Sequence, residues 1–593
     1  MSYLALGRVA QKKKDWREAF VQFDRGAGED VACLVERALC YLNGRGVEKD
    51  TAKGFADLEL AAQRGSADAK LHLSNLYEIG VGVEKDREKF LRLAKEAAEE
   101  GSVPGMLKWG TLLMAKGPMQ NIELGVQYVA RAAEAGLPIA VNALGVMYVA
   151  GNGVERNPKY AQELFARVAD VLPEAKCNLA ATYLDGCAGV RDPAKSFVLV
   201  QEAAEAGYVP AKVQLALRYQ NGQGVEKNPE KARAAARSAA EAGSADGQNL
   251  YGTMLLVGMG GEKDLGSARL WFEKAAEKGH PAGLNNYGIC LLNGVGGEKN
   301  QEEATKRFRL AREKGNPDAP FNLALCYMTG AGVHKNEFQA YAYFVEAAKR
   351  GHKQAPVHVG WCLLKGLGVA RDEAAGRNAL NRAVAEGNPL ALFFVGLAER
   401  EGAGYVKNPT EGERKIQTAA KQGVPQAVEW LRKQNNAKEE TKKEGQGLLE
   451  KARGLEQTGD WAGAALVYRE AAEQGIVEGM VAMADICEKG RGVKVNATEA
   501  AVWWERAYAK GSVPASVGLA RALWNGVGTE KNRRRAFSVV QQAALLGYGP
   551  ACYQLAVWYG EGWEEARPDK ENMRKWAAIA YERGVREAEK LLR

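Results

Sequence analysis

An all-α solenoid built from helix-turn-helix units is the fold that this sequence predicts. Three observations carry it: a glycine that returns every 36 residues, small residues at fixed distances after it, and an Asp or Asn at a fixed distance before the next one. Gly279 is followed by Gly315, Gly351, Gly387 and Gly423, and preceded by Gly243, Gly207, Gly136, Gly101 and Gly65, with Val171 in the one missing place. A second train runs Gly475, Gly511, Gly547, Gly584. A length prior alone would suggest several globular domains, but a short unit repeated along the chain overrides it. The spacing gives about sixteen helix pairs, each too small to bury its own apolar face without its neighbours.

The first element of each unit is a helix, here called helix A. The fourth residue after the glycine is small, as at Ala69, Gly105, Ala140, Gly247, Gly283 and Ala355. The ninth is small again, as at Ser74, Gly110, Gly145, Gly252, Gly288 and Gly360, and a large apolar residue usually precedes it. Small residues let two helices approach closely and large ones fill the space between. A loop follows, with glycines spaced GxG: Gly44 and Gly46, Gly80 and Gly82, Gly222 and Gly224, Gly330 and Gly332, Gly490 and Gly492. Helix B then starts at an Asp or Asn fifteen residues before the next terminal glycine, as at Asp50, Asp192, Asn228, Asn300, Asn408 and Asn532. Those side chains suit an N-cap, because their oxygen accepts from backbone N–H groups that have no helical partner. Pro158, Pro193, Pro229 and Pro409 stand at first helical positions, where no N–H is needed. Helix B ends in an Ala-Ala pair, such as Ala239-Ala240 or Ala275-Ala276, and then in the glycine, whose freedom at positive φ suits a helix stop.

The period, the small sites of helix A, the G-x-G-V loop and the K-A-A-E-x-G ending resemble the Sel-one-like repeat, a longer-looped relative of the tetratricopeptide repeat. The resemblance implies a right-handed superhelix, and it covers nearly the whole chain. Two places depart from it. Residues 102–136 read MAKGPMQN where the GxGV loop belongs, and residues 548–584 carry the longer loop GEGWEEARPD. Two stretches look like plain tetratricopeptide units: Lys14 to Ala19 with Phe23, and Gly459 to Ala464 with Tyr468. The expected organisation is a tetratricopeptide-like unit at 1–30, an array of about eleven longer repeats with a capping helix at 31–434, a linker at 435–447, and a second array at 448–593. The linker NNAKEETKKEGQG is polar and lacks apolar periodicity, which suits a hinge or a frayed helix.

Composition narrows the function classes. Hydrophobic residues make up 46% and charged residues 26%, as in a folded protein rather than a disordered one. A net charge of +8 is small for 593 residues, and both signs are interleaved, unlike the concentrated basic face of a nucleic-acid binder. None of the nine cysteines has CxxC spacing, so buried free thiols and a reducing, cytoplasmic setting are expected. The N-terminal MSYLALGRVAQKKKDW has no secretory pattern, and no window is apolar enough for membrane insertion.

No motif points to catalysis. The glycine loops recur in nearly every unit with no strand before them, so they are not phosphate cradles. The five histidines, His72, His280, His334, His352 and His358, form no metal-ligand spacing, and the expectation is no catalytic residue, no metal and no cofactor. The sequon at Asn496 coincides with an expected N-cap. The resemblance implies instead that helix A lines a concave groove, with its variable sixth, tenth and thirteenth residues facing a partner. These positions hold Asn142, Asn249 and Asn285; Asn75, Thr253 and Trp361; and Gln220, Arg400 and Trp524. Asn offers a donor and an acceptor to an extended peptide, and Trp and Arg are frequent interface anchors. The function so implied is a non-catalytic scaffold or adaptor that binds partner proteins or an extended peptide segment, with no small-molecule substrate. An RNA-binding or ribonucleoprotein-assembly solenoid is the alternative, and it requires a Lys/Arg stripe on helix A.

Overall fold

The computed structural model describes residues 1–562 and 567–593, with the side chains at 437, 438, 441 and 442 excepted. Among the described residues the regular elements are 33 α-helices and one short 3-10 turn, Arg586–Ala588. They pair as the glycine period requires: Ala67–Ile79 with Arg87–Glu99, Ala245–Val257 with Leu265–Glu277, Pro281–Asn293 with Gln301–Glu313. The chain forms two compact units, 1–383 and 384–593.

The caps explain where the helices start and stop. Asp50 accepts from the Lys53 N–H at 2.9 Å, Asn300 from Glu303 at 3.0 Å, and Asn532 from Arg535 at 2.9 Å. Helix A almost always ends on a left-handed glycine, such as Gly80 at φ +74° or Gly330 at φ +79°. Val171, which stands where a terminal glycine is expected, does not take positive φ. Helix B of that repeat instead stops early, at Val168 after 11 residues rather than 13, and Val171 is left exposed. A β-branched residue resists the left-handed region, so the turn is rebuilt rather than strained.

Two contacts make the stack tight. A methyl group on Gly145, Gly252 or Gly288 would stand 2.5, 2.9 or 2.6 Å from the ring of Phe165, Phe272 or Phe308 in the same repeat. Those phenylalanines are fully buried, each worth about 1.5–3 kcal/mol of transfer from water. The fourth-position glycines meet the preceding helix B: Gly247 and Gly283 leave room for Ala239 and Ala275 of the Ala-Ala pairs. The small sites therefore face two different partners, one within the repeat and one before it.

In most repeats the GxG loop seals the repeat onto the one before. A methyl group on the second glycine would collide with the backbone at the first residue of the preceding helix B: 1.8 Å from the Pro193 carbonyl oxygen at Gly224, 2.0 Å from that of Gln301 at Gly332, and 2.0 Å from that of Glu337 at Gly368. The second unit repeats this at Gly528, 2.0 Å from the Ala497 carbonyl oxygen.

The linker expected at 435–447 lies within one continuous helix, Pro425–Gln457. Its sequence contains no proline, and Leu448, Leu449 and Leu455 anchor its second half on the core of the second unit. The two compact units divide at 383/384. Of the two irregular loops, MAKGPMQN is described in full, whereas residues 563–566 of GEGWEEARPD lie outside the described residues. Helix Val103–Met114 ends at Ala115 in extended conformation instead of at a left-handed glycine.

Candidate partner-binding wall

Helices A of successive repeats touch in the first unit, as Ala67–Ile79 does Val103–Met114 and Ala245–Val257 does Pro281–Asn293; helices B do not approach one another to the same extent. Helices A of neighbouring repeats thus lie side by side as one wall at these places. The sixth residue lies at the seam between neighbours. Asn142 is buried, and its Oδ1 accepts from Asn178 Nδ2 of the next repeat at 2.8 Å, while its own Nδ2 reaches Glu174 at 3.4 Å. Asn249 Oδ1 accepts from Asn286 Nδ2 at 2.9 Å, and the buried Asn285 Oδ1 from Asn322 Nδ2 at 2.8 Å. The spacing places Asn249 and Asn285 at equivalent sites in adjacent repeats, but each spends its acceptor on an asparagine of the next helix A. These amides knit the wall together, and a buried amide without such a partner would cost stability.

The tenth residue is the one that opens outward. Thr111, Val146, Ala181 and Leu217 are exposed, and Asn75, Thr253, Ile289, Leu325 and Trp361 are half-buried. None of the nine carries a charge. Thr253 donates to the Asn249 carbonyl at 2.9 Å, and the Lys365 ammonium lies 5.5 Å from the Trp361 ring centroid. Gln220, at the thirteenth position, is half-buried, with a buried Oε1 that accepts no hydrogen bond from the described residues. Within the first unit the structure thus places Asn75, Asn142, Gln220, Asn249, Thr253, Asn285 and Trp361 along one wall, two of them sunk into its seams.

Arg400 and Trp524 belong to the second unit. The Arg400 guanidinium sits over the Trp430 ring at 4.6 Å. Trp524 is buried and stacks on Trp558 with centroids 3.9 Å apart and planes at 7°. Its position in helix A is taken up by packing between repeats, which a spacing argument does not distinguish from a groove anchor.

Other candidate chemistry resolves into packing. All nine cysteines are free thiols, eight of them buried, and burial pushes the Cys362 thiol up to about 12. His358 lies flat against Phe344 at 4.7 Å, and burial, reinforced by nearby His352, pulls it down to about 4. Among the described residues no cluster of His, Cys, Asp and Glu is placed to hold a metal ion. Among them, too, no helix is long and apolar enough to cross a membrane. Asn496 caps its helix by accepting from the Glu499 N–H at 3.1 Å.

The family model described as the Sel1 repeat matches ten segments between residues 32 and 388 and three between 477 and 585, well over half of the chain. Proteins built from this repeat generally bind other proteins. Among solved structures, the chain is similar to c5321, a protective antigen of uropathogenic Escherichia coli with an SLR fold. The identity is 25%, the coverage 87% of this chain and 99% of that one, and the TM-score 0.45. A Sel1 repeat protein from Oxalobacter formigenes is 28% identical, covering 52% of this chain and 90% of that one, with a TM-score of 0.39. Chitin synthase regulatory factor 3 of Schizosaccharomyces pombe is 32% identical over 176 residues. That match spans 28% of this chain and 19% of the yeast protein.

Proposed function

We propose, from the premise that this chain belongs to the Sel1 repeat family, that it is a non-catalytic scaffold or adaptor. It holds partner proteins along the wall of helices A in its first unit. The observation that carries the reading is the uncharged stripe at the tenth position, from Asn75 to Trp361. Nine repeat units present outward side chains that are apolar, hydroxyl or amide. A surface that binds phosphate backbones needs Lys and Arg there, and a scaffold for protein segments does not. Asn249 and Thr253 are the polar contacts of the stripe, Val146, Leu217 and Trp361 its apolar ones, and Asn142 and Asn285 set the spacing between helices from within the seams. Arg400 and Trp524 are proposed to shape the corresponding wall of the second unit. The buried thiols support a reducing, cytoplasmic setting.

The test is partner recovery from cells with the parent chain and with two variants, Leu217→Lys combined with Thr253→Lys, and Trp361→Ala. Each should keep full helicity and lose most of the recovered partner, since truncating a central anchor typically costs about 1–4 kcal/mol. Unchanged recovery by both variants contradicts the wall as the binding surface. Recovery of RNA that collapses between about 50 and 200 mM salt replaces the scaffold by the ribonucleoprotein reading.

A further inference from the structure

The repeat departs from its own pattern at two sites that meet in space. Four residues after the helix B cap the chain carries a small residue almost everywhere, as at Gly54, Gly125, Ala161, Ala232 and Ala304, but Phe90 after Asp86. In the next repeat, MAKGPMQN replaces the GxG loop. Where a regular loop would press its second glycine onto the first residue of the preceding helix B, a methyl group on Gly117 would meet no described atom within 4 Å. The space so left is a cavity of about 730 Å³ between Tyr77, Lys85, Arg87 and Phe90 on one side and Leu112 and residues 115–120 on the other. That volume falls in the range of about 300–1,000 Å³ found for binding pockets.

Its chemistry is two-part. The floor is apolar: Phe90, Leu91, Leu112 and Met119, with Met119 itself 41% exposed. The rim is cationic: Lys85, Arg87 and Lys116 are exposed and make no ion pair with the described residues. The one carboxylate in the lining, Glu78, is neutralised by Lys108 at 2.7 Å. Other exposed cations pair along their helices, as Arg237 does with Glu241 and Arg414 with Glu411.

We propose that this cavity is a second docking site, which takes an acidic peptide segment carrying one apolar side chain. The apolar side chain enters between Phe90, Leu112 and Met119, and flanking carboxylates pair with Lys85, Arg87 and Lys116. Three separate cations drawn from two repeats match a chain with several carboxylates; a small anion would satisfy one of them. The site rests on the protein-binding reading, but its lining lies at the loop edge and includes none of the tenth-position residues of the stripe.

The test is selection of random dodecapeptides on the full-length chain, followed by fluorescence anisotropy of the enriched peptides and of octanoate competition. Enriched peptides should hold a Leu, Phe or Met among Asp and Glu. Arg87→Glu with Lys116→Glu should weaken them by about tenfold or more, and Met119→Asp should do the same, while Thr253→Lys leaves them unchanged. All four changed positions are exposed or half-buried, and circular dichroism checks that each variant keeps its helicity. Peptides indifferent to the charge reversal but lost with Thr253→Lys overturn the cavity site and leave the wall standing. Enrichment of peptides without acidic residues, or no enrichment at all, overturns it as well. Octanoate binding that needs Arg87 and Lys116, without any peptide, also overturns it, in favour of a small amphipathic anion.

Discussion

The loop at 330–336 and the loop at 115–121 occupy the same place in two repeats of one unit, and they obey different constraints. In the first, Gly330 ends its helix at φ +79°, and Gly332 lies so close to Gln301 that no side chain fits. In the second, Ala115 ends the helix in extended conformation and Gly117 has open space around it. Close backbone packing fixes residue identity, and where it is absent the sequence is free to carry something else. In this unit the freed sequence borders a cavity with a cationic rim.

The sharpest break of that comparison is a pair of matched substitutions. Gly332→Ala should cost about 3 kcal/mol, because left-handed φ costs roughly 1–2 kcal/mol and backbone overlap adds about 1–3. Gly117→Ala should stay within about 0.5 kcal/mol of the parent. Urea denaturation monitored by circular dichroism measures both, and equal costs would remove the distinction. Gly279→Val comes next. Its φ is +72°, but the nearest atom to an added Cβ is Lys314 Cε at 3.7 Å, so only the backbone conformation is penalised, by about 1–2 kcal/mol. Asn300→Ala should cost about 1 kcal/mol through the lost bond to the Glu303 N–H.

The last prediction is a slope with pH, absent near neutrality and growing as acid is added. His358 packs flat on Phe344, and its folded value of about 4 lies below that of an unfolded histidine, near 6.5. The unfolded chain therefore takes up a proton that the folded repeat excludes. Stability from this group is fully present above about pH 6.5 and declines as pH falls towards 4. His358→Gln should flatten that part of the profile of denaturation midpoint against pH, and an unchanged profile would show that the histidine is not held neutral.

Most of the fold was legible because each step of the repeat has its own chemical signature. The Asp and Asn caps, the left-handed glycines and the small sites of helix A each reappear in the structure where the spacing puts them, whereas the buried phenylalanines of helix B that meet those small sites come from the structure alone. The wall was legible only in part. Position along helix A identifies a face, but it does not tell a seam from an opening: Asn285 and Thr253 share that face, yet the first is buried between helices and the second opens outward. Trp524 illustrates the same limit, since a stacked tryptophan partner 34 residues away leaves no mark in local spacing. The cavity did leave a mark, in Phe90 and in MAKGPMQN, but a departure from a repeat does not by itself say what the two sites enclose. The division at 435–447 rests on composition. We propose it as the array boundary, and first cleavage there in limited proteolysis, rather than within 66–423, is the expected outcome.

A partner protein is proposed to be held by the uncharged tenth-position stripe along helices A. Hydrogen–deuterium exchange of the full-length chain, alone and with a partner purified from cells, tests it most directly. Slowed exchange should concentrate in the helices A between Pro138–Ala150 and Ala245–Val257, with the paired helices B unchanged. Protection confined to the helices B, with helices A exchanging as in the free chain, would contradict it.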